Sequence, residues 1–245
     1  MPGFQQKGRT VVSAGVREVL SRNLAVVRGR IAEAAERVGR EPGGVTLVVV
    51  TKTVSPEVIA LLPDLGVNDV GENRVQALTE RAQALNRLGL RWHMIGHLQR
   101  NKVRKVLPFA HLLHTIDSPR LAETVNRAAA ERDRPAEALI QVNVSGEASK
   151  FGRDPAEAID LVRRAHDWPY LRITGLMTMA PFVSDPETVR PVFVALRALA
   201  ERIRGDAPPG VEMRGLSMGM TQDYVQAVEE GATIVRVGTA VFKGL

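Results

Sequence analysis

Eight short runs rich in β-branched and apolar residues recur along the chain, and a helical pattern separates each from the next. The runs are VTLVVVTK, VNDVGEN, RWHMIGH, HLLHTID, ALIQVNV, LRITGLMT, EMRGLSMG and TIVRVGTAVF. The segments between them often open on an N-cap residue followed by proline, as at Ser55-Pro56, Asp154-Pro155 and Asp185-Pro186. Strand-helix-strand alternation requires a crossover between neighbouring strands and so favours a parallel sheet. Eight such units after one long helix, roughly Val16 to Val38, predict an α/β fold: a single (β/α)8 TIM barrel with an additional N-terminal helix. A doubly wound sheet is disfavoured, because no glycine-rich dinucleotide fingerprint follows the first run. At 245 residues the chain is long enough for one large core. Residues 1–44 are therefore read as an N-terminal extension and helix, and 45–242 as the barrel, in a single domain.

A barrel of this kind places its chemistry at the C-terminal ends of its strands. Those ends read Lys52, then Glu72 and Asn73, His97, Asp117, Asn143, Thr178, Ser217 with Gly219, and Arg236 to Thr239. Two of them are anomalous. Lys52 shares a strand face with Val48 and Val50, although an ammonium is strongly hydrated; the plain alternative is a lysine whose stem packs while its head reaches water. Arg236 shares a face with Ile234 and Gly238, and a buried guanidinium needs an acceptor. A bound anion would supply it, and so would an internal ion pair with Glu72 or Asp117. The loops after strands seven and eight, LSMG and RVGT, are the usual phosphate site of the fold. Thr221 is placed to cap the following helix, with Asp223 in its first turn.

Composition narrows the function. There is no cysteine, which excludes disulfides, thiolate metal sites and cysteine nucleophiles, and suits a reducing compartment. The formal charge is +6, but only 4% of residues are aromatic and the basic run Gln99–Leu107 has none beside it to stack bases. That run is read as a solvated helix, and nucleic acid is not expected as a partner. The first ten residues are polar, and no apolar run nears the roughly 18 residues of a membrane span. The expected location is cytoplasmic, with no membrane partner.

A lysine on strand one, an arginine on strand eight and two phosphate loops together fit pyridoxal 5′-phosphate (PLP) held as a Schiff base. VTLVVVTK, GENRVQAL, WHMIGHLQRNK, HTIDS, QVNVSGEASKFG, GLMTMAP and LSMGMTQDYVQAVEEGATIVRVGTAVF resemble the YggS/PROSC family of pyridoxal phosphate homeostasis proteins. The resemblance runs from about Val45 to Phe242. It implies a barrel like the N-terminal domain of alanine racemase, with Lys52 carrying the cofactor and no separate C-terminal domain. A role in cofactor supply and balance, not metabolic turnover, follows, with PLP-dependent apo-enzymes as recipients and a monomer as the working form. The expected cofactor-binding residues are Lys52, Asn73, Ser217, Met218, Arg236, Gly238 and Thr239, with no metal and no catalytic residue. Thr221 stands where the family usually has serine, and about forty residues precede the first strand. The alternative is a PLP-dependent amino-acid racemase, which needs a second acid/base, usually a tyrosine. Tyr170 precedes strand six and Tyr224 lies inside a helix, so neither sits at a strand end. Arg236 also disfavours protonation near it and so makes a poorer electron sink.

Overall fold

The computed structural model describes residues 14–144, 152–208 and 211–245. The whole SGEASKF stretch with Lys150 and residues 1–13 lie outside the described residues. Helix α1 (Ala14–Arg37) comes first. The strands are β1 (Thr46–Val50), β2 (Asp69–Glu72), β3 (Arg91–Met94), β4 (Ala110–Ile116), β5 (Ala136–Gln141), β6 (Leu171–Met177), β7 (Gly215–Ser217) and β8 (Ile234–Val237). They pair in sequence order, all parallel, and β8 closes on β1 with Arg236 opposite Val48. The strand-facing helices are α2 (Pro56–Ile59), α3 (Val75–Ala84), α4 (Val103–Val106), α5 (Pro119–Ala130), α6 (Pro155–Arg163), α7 (Arg190–Gly205) and α8 (Tyr224–Glu229). This is the expected eight-stranded barrel with one extra helix before it.

Alternation along each strand sorts residues between two layers. Outward residues such as Val49, Val70, Trp92, Leu113, Ile140, Leu176, Leu216 and Val235 join the helices in the main core. Inward, Leu112, Leu139 and Met177 form a small separate cluster. The remaining barrel interior is unusually polar or small: Asp69, Gly71, His93, His114, Gly215, Ser217 and Arg236 occupy inward positions. Gly71 leaves room for Val48, since a Cβ there would lie 3.0 Å from Val48 Cγ1.

Helix α1 buries Leu20, Leu24, Val27, Ile31, Ala34 and Ala35, a three-four spacing that lays one face on the barrel. Its polar ties run to the turn at residues 64–66, through Arg17 and Arg28, and to the segment after β8. Asn23 Nδ2 donates to the carbonyls of Val241 and Lys243 at 3.0 and 2.9 Å. Beyond the helix, Arg40 donates to those of Val228 and Ala232.

Several elements are shorter than the sequence pattern predicts. The second helical segment yields one turn, Pro56–Ile59, before the Pro63–Leu65 3-10 turn. The basic run forms a 3-10 turn, Arg100–Lys102, and then only Val103–Val106, where Val103 and Val106 are buried while Arg104 and Lys105 face water. Pro108 follows directly and prevents extension. No helix among the described residues is long and apolar enough to cross a membrane.

The buried His114 sets an acid limit. Burial pushes His114 well below the usual 6.5, and His111, exposed at the edge of the barrel, is lowered by partial desolvation and by the nearby His93 and Arg91. The unfolded chain takes up those protons near 6.5 while the folded chain refuses them, so stability falls as pH drops through that value. Urea titrations at pH 7 and 5.5 should differ by about 1 kcal/mol, the acid sample being weaker. Equal midpoints would mean that His114 protonates without cost.

Candidate functional site

At the C-terminal ends of the strands lies a cavity of about 500 Å³, lined among others by Val50, Lys52, Asn73, Ile95, His97, Gln141, Thr221, Arg236, Gly238 and Thr239. Residues from all eight strand ends or the loops after them meet there. Two other hollows, one walled by Arg132, Arg134 and Arg172 and one by Thr46 and Asn68, sit at the opposite end of the strands and are lined by no lysine, whereas a hollow adjoining the cavity at Asn73 and His97 is lined by Lys102 and Lys105.

Strand β1 stops at Val50, and Lys52 follows in the turn, exposed at the rim rather than carried on the strand. Among the described residues its amine makes no hydrogen bond or ion pair. The turn itself is fastened from below. Glu72 points outward into the helix layer, where its carboxylate accepts from Thr51 Oγ1 and from Arg81 of α3. Arg81 also donates to the Thr51 and Val54 carbonyls at 2.7 and 2.9 Å, on either side of Lys52. A lysine with no partner on a clamped turn offers its amine to the cavity.

Arg236 is buried, and its partners differ from the ion pair considered from the sequence. Glu72 is committed to Arg81, and Asp117 Oδ2 faces His97 Nδ1 at 3.3 Å. Arg236 NH1 donates to Ser217 Oγ, and NH2 to the Thr178 carbonyl at 2.9 Å. Both acceptors are neutral. Burial brings the guanidinium down to about 10, against the pull of the Asp223 carboxylate. Asp223 is itself raised by burial; its Oδ1 accepts the Met220 N–H at 2.6 Å, and its Oδ2 has no partner. A cation held by neutral acceptors at a cavity wall draws an anion into that cavity.

The two glycine-bearing loops form the adjoining wall. Gly238 lets the chain after β8 pass close to β1, for a Cβ there would lie 2.9 Å from the Val50 carbonyl oxygen. Gly219 has φ +92°, and a Cβ would stand 2.6 Å from Ala227 Cβ. That left-handed turn swings Met220, Thr221 and Gln222 to the cavity. Helix α8 begins only at Tyr224, so Thr221 lies in the turn ahead of it and does not cap it.

Of the sequence-derived set, Lys52, Asn73, Arg236, Gly238 and Thr239 line the cavity, and Ser217 and Met218 do not. Ser217 is wholly buried one layer beneath, its hydroxyl engaged by Arg236 and by His114 Nδ1 at 2.9 Å. The Met218 N–H is spent on the Ile234 carbonyl at 3.1 Å. Sequence reasoning missed Gln222 and the Thr51–Glu72–Arg81 clamp. It also missed the histidines His93 and His114, whose inward parity on the third and fourth strand runs was the available signal. The tyrosines stand away: Tyr170 Oη donates to Asp133 at 3.2 Å, and Tyr224 is buried with Arg30 beside it.

The family model for the alanine racemase N-terminal domain matches residues 23–245. A pyridoxal phosphate homeostasis protein of Aquifex aeolicus is 40% identical, over 89% of this chain and 95% of its own. One of Escherichia coli K12 is 39% identical, over 91% and 95%. Among solved structures, a protein of unknown function from Bifidobacterium adolescentis superposes with a TM-score of 0.90 at 38% identity, over 95% of this chain and 98% of that one. PipY of Synechococcus elongatus, solved with PLP bound, gives 0.80 at 32% identity, over 91% and 99%. Clostridium difficile alanine racemase, at 16% identity and a TM-score of 0.69, shares the fold, and this chain spans only 56% of it. By fold, by cavity position and by these relatives, the chain belongs to the pyridoxal phosphate homeostasis protein family, built on the alanine racemase N-terminal barrel.

Proposed function

We propose that this protein binds pyridoxal 5′-phosphate through Lys52 and serves intracellular homeostasis of that cofactor, holding and releasing it with little turnover of amino acids. One observation carries the reading: an uncommitted lysine amine stands at the mouth of a cavity whose wall holds a buried arginine paired only with neutral oxygens. The group fits both features, since it supplies an aldehyde for an amine and a phosphate for a cationic, glycine-lined wall. Lys52 provides the nucleophilic nitrogen. Gly238, Thr239 and Thr221 would receive the phosphate, with Asn73 at the mouth. Ser217 and Met218 would serve from behind, seating Arg236 and β8. The names of the curated relatives and the PLP-bound PipY structure support this assignment.

Racemisation needs a second acid/base across the cofactor, and neither tyrosine reaches the cavity. The chain works, on this reading, as a cytoplasmic monomer in one barrel domain that passes cofactor to PLP-dependent apo-enzymes. The purified protein should show an absorbance band that borohydride bleaches, with the pyridoxyl mass on the Lys52 peptide. Unphosphorylated pyridoxal should bind at least about tenfold more weakly, a difference of about 1.4 kcal/mol. Equal affinities would remove the phosphate loops from the site. Holo-protein should restore an apo-enzyme's activity, whereas amino-acid turnover at about 1 to 10³ per second would overturn the homeostasis reading.

A further inference from the structure

A continuous line of buried polar side chains crosses the barrel interior and ends on Arg236. At the N-terminal end of the strands, Asp69 accepts from Arg91 Nε at 2.7 Å and faces His93 Nε2 at 3.0 Å. His93 Nδ1 lies 3.0 Å from His114 Nε2, and His114 Nδ1 lies 2.9 Å from Ser217 Oγ, which accepts from Arg236. Five strands contribute, and Asp69, His93, His114, Ser217 and Arg236 are all buried. Apolar residues would fill a barrel interior at less cost, since each buried polar atom must find a partner.

The ends of this line set its direction. Despite burial, Arg91 and His93 hold the Asp69 carboxyl well below the usual range, so it only accepts. His93 must then carry its proton on Nε2 and accept at Nδ1. His114 in turn donates from Nε2 and accepts at Nδ1, and the Ser217 hydroxyl donates to it. Both serine lone pairs are left for Arg236, which only donates. The reverse order would require two protons on His93, to serve both His114 and Asp69. It would also leave the Ser217 proton without an acceptor among the described residues, in a site with no water access.

We propose that Asp69, His93, His114 and Ser217 form a one-way hydrogen-bond relay that makes them positioning residues for Arg236, fixing its orientation at the cofactor cavity from the far end of the barrel. The proposal rests on the reading of that cavity as a PLP site. Asp69 is not part of the cavity and instead borders the separate hollow with Thr46 and Asn68. An influence of Asp69 on the cofactor therefore has to travel through the barrel.

The test begins on apo-protein labelled with ¹⁵N-histidine. Long-range ¹H–¹⁵N correlation spectra at neutral pH should show His93 and His114 as Nε2–H tautomers with bare Nδ1. A proton on His114 Nδ1, or a doubly protonated His93, overturns the relay. Asp69→Asn then replaces an obligate acceptor with an amide that either donates or accepts. Its histidines should populate both tautomers, the absorption band of bound PLP should shift, and affinity should fall roughly tenfold. A folded Asp69→Asn protein with parental tautomers, band and affinity also overturns it, and if that variant does not fold, the wild-type tautomers decide. Wild-type protein with the expected tautomers that takes up no PLP would retire the cofactor reading and leave the hydrogen-bond direction supported.

Discussion

Replacing Lys52 with alanine will leave a protein that folds like its parent and yields no borohydride-trapped pyridoxyl peptide. Lys52 is exposed and, among the described residues, unpartnered, so its removal should change stability by no more than about 0.5 kcal/mol. The clamp that shapes its turn uses the Thr51 and Val54 carbonyls and stays intact. Loss of cofactor in this variant will therefore report the amine and not the fold. Affinity should drop roughly a hundredfold, about 2.7 kcal/mol, leaving the phosphate contacts. Thermal melts and cofactor titrations on the two proteins check both halves. Covalent label persisting on Lys243 in the variant would show that the rim lysine is not the attachment point.

Gly219→Ala should be strongly destabilising and should act on the loop after β7. The new Cβ meets Ala227 Cβ at 2.6 Å and Tyr224 Cα at 2.9 Å, on a backbone with φ +92°. Left-handed strain of about 1 kcal/mol and overpacking of about 2 kcal/mol both apply, for a loss of about 3 kcal/mol. At this chain length the melting temperature should fall by roughly 9 °C. Gly39→Ala is the control, since Gly39 has φ +67° with nothing within 4 Å of a Cβ. It should cost only the strain, about 1 kcal/mol. Equal losses in chemical denaturation would mean that the loop after β7 yields without resistance. Because that loop brings Thr221 to the cavity, cofactor binding should weaken in the Gly219 variant alone.

The barrel was legible because alternating strands and helices leave few ways to arrange a parallel sheet, and strand parity set Arg236 on one face with Ile234 and Gly238, the face that the fold turns inward. What parity could not give was where each strand stops. Lys52 sits two residues beyond β1, in a turn shaped by Arg81, which reaches it only through the phase of α3. In LSMGMT the sequence does not say which residues face the cavity. The left-handed Gly219 decides it, taking Ser217 and Met218 beneath the wall and bringing Thr221 forward. The acceptor for Arg236 was open for a similar reason: Glu72 lies at a strand end, but its parity turns it outward to Arg81.

The ties of the first helix to the last loop bear on how the chain matures. Asn23 finds an acceptor 218 residues later, at Val241, and Arg40 finds its own at Val228 and Ala232. During synthesis on the ribosome the apolar stripe from Leu20 to Ala35 is made before any strand of the barrel, and the part of its cover supplied by α8 arrives only after β7. The barrel closes by pairing β8 with β1, so that event and the full seating of the first helix both wait for β8 to be made. Until then the nascent chain carries an uncovered helix face and an open sheet edge, the features on which a chaperone acts.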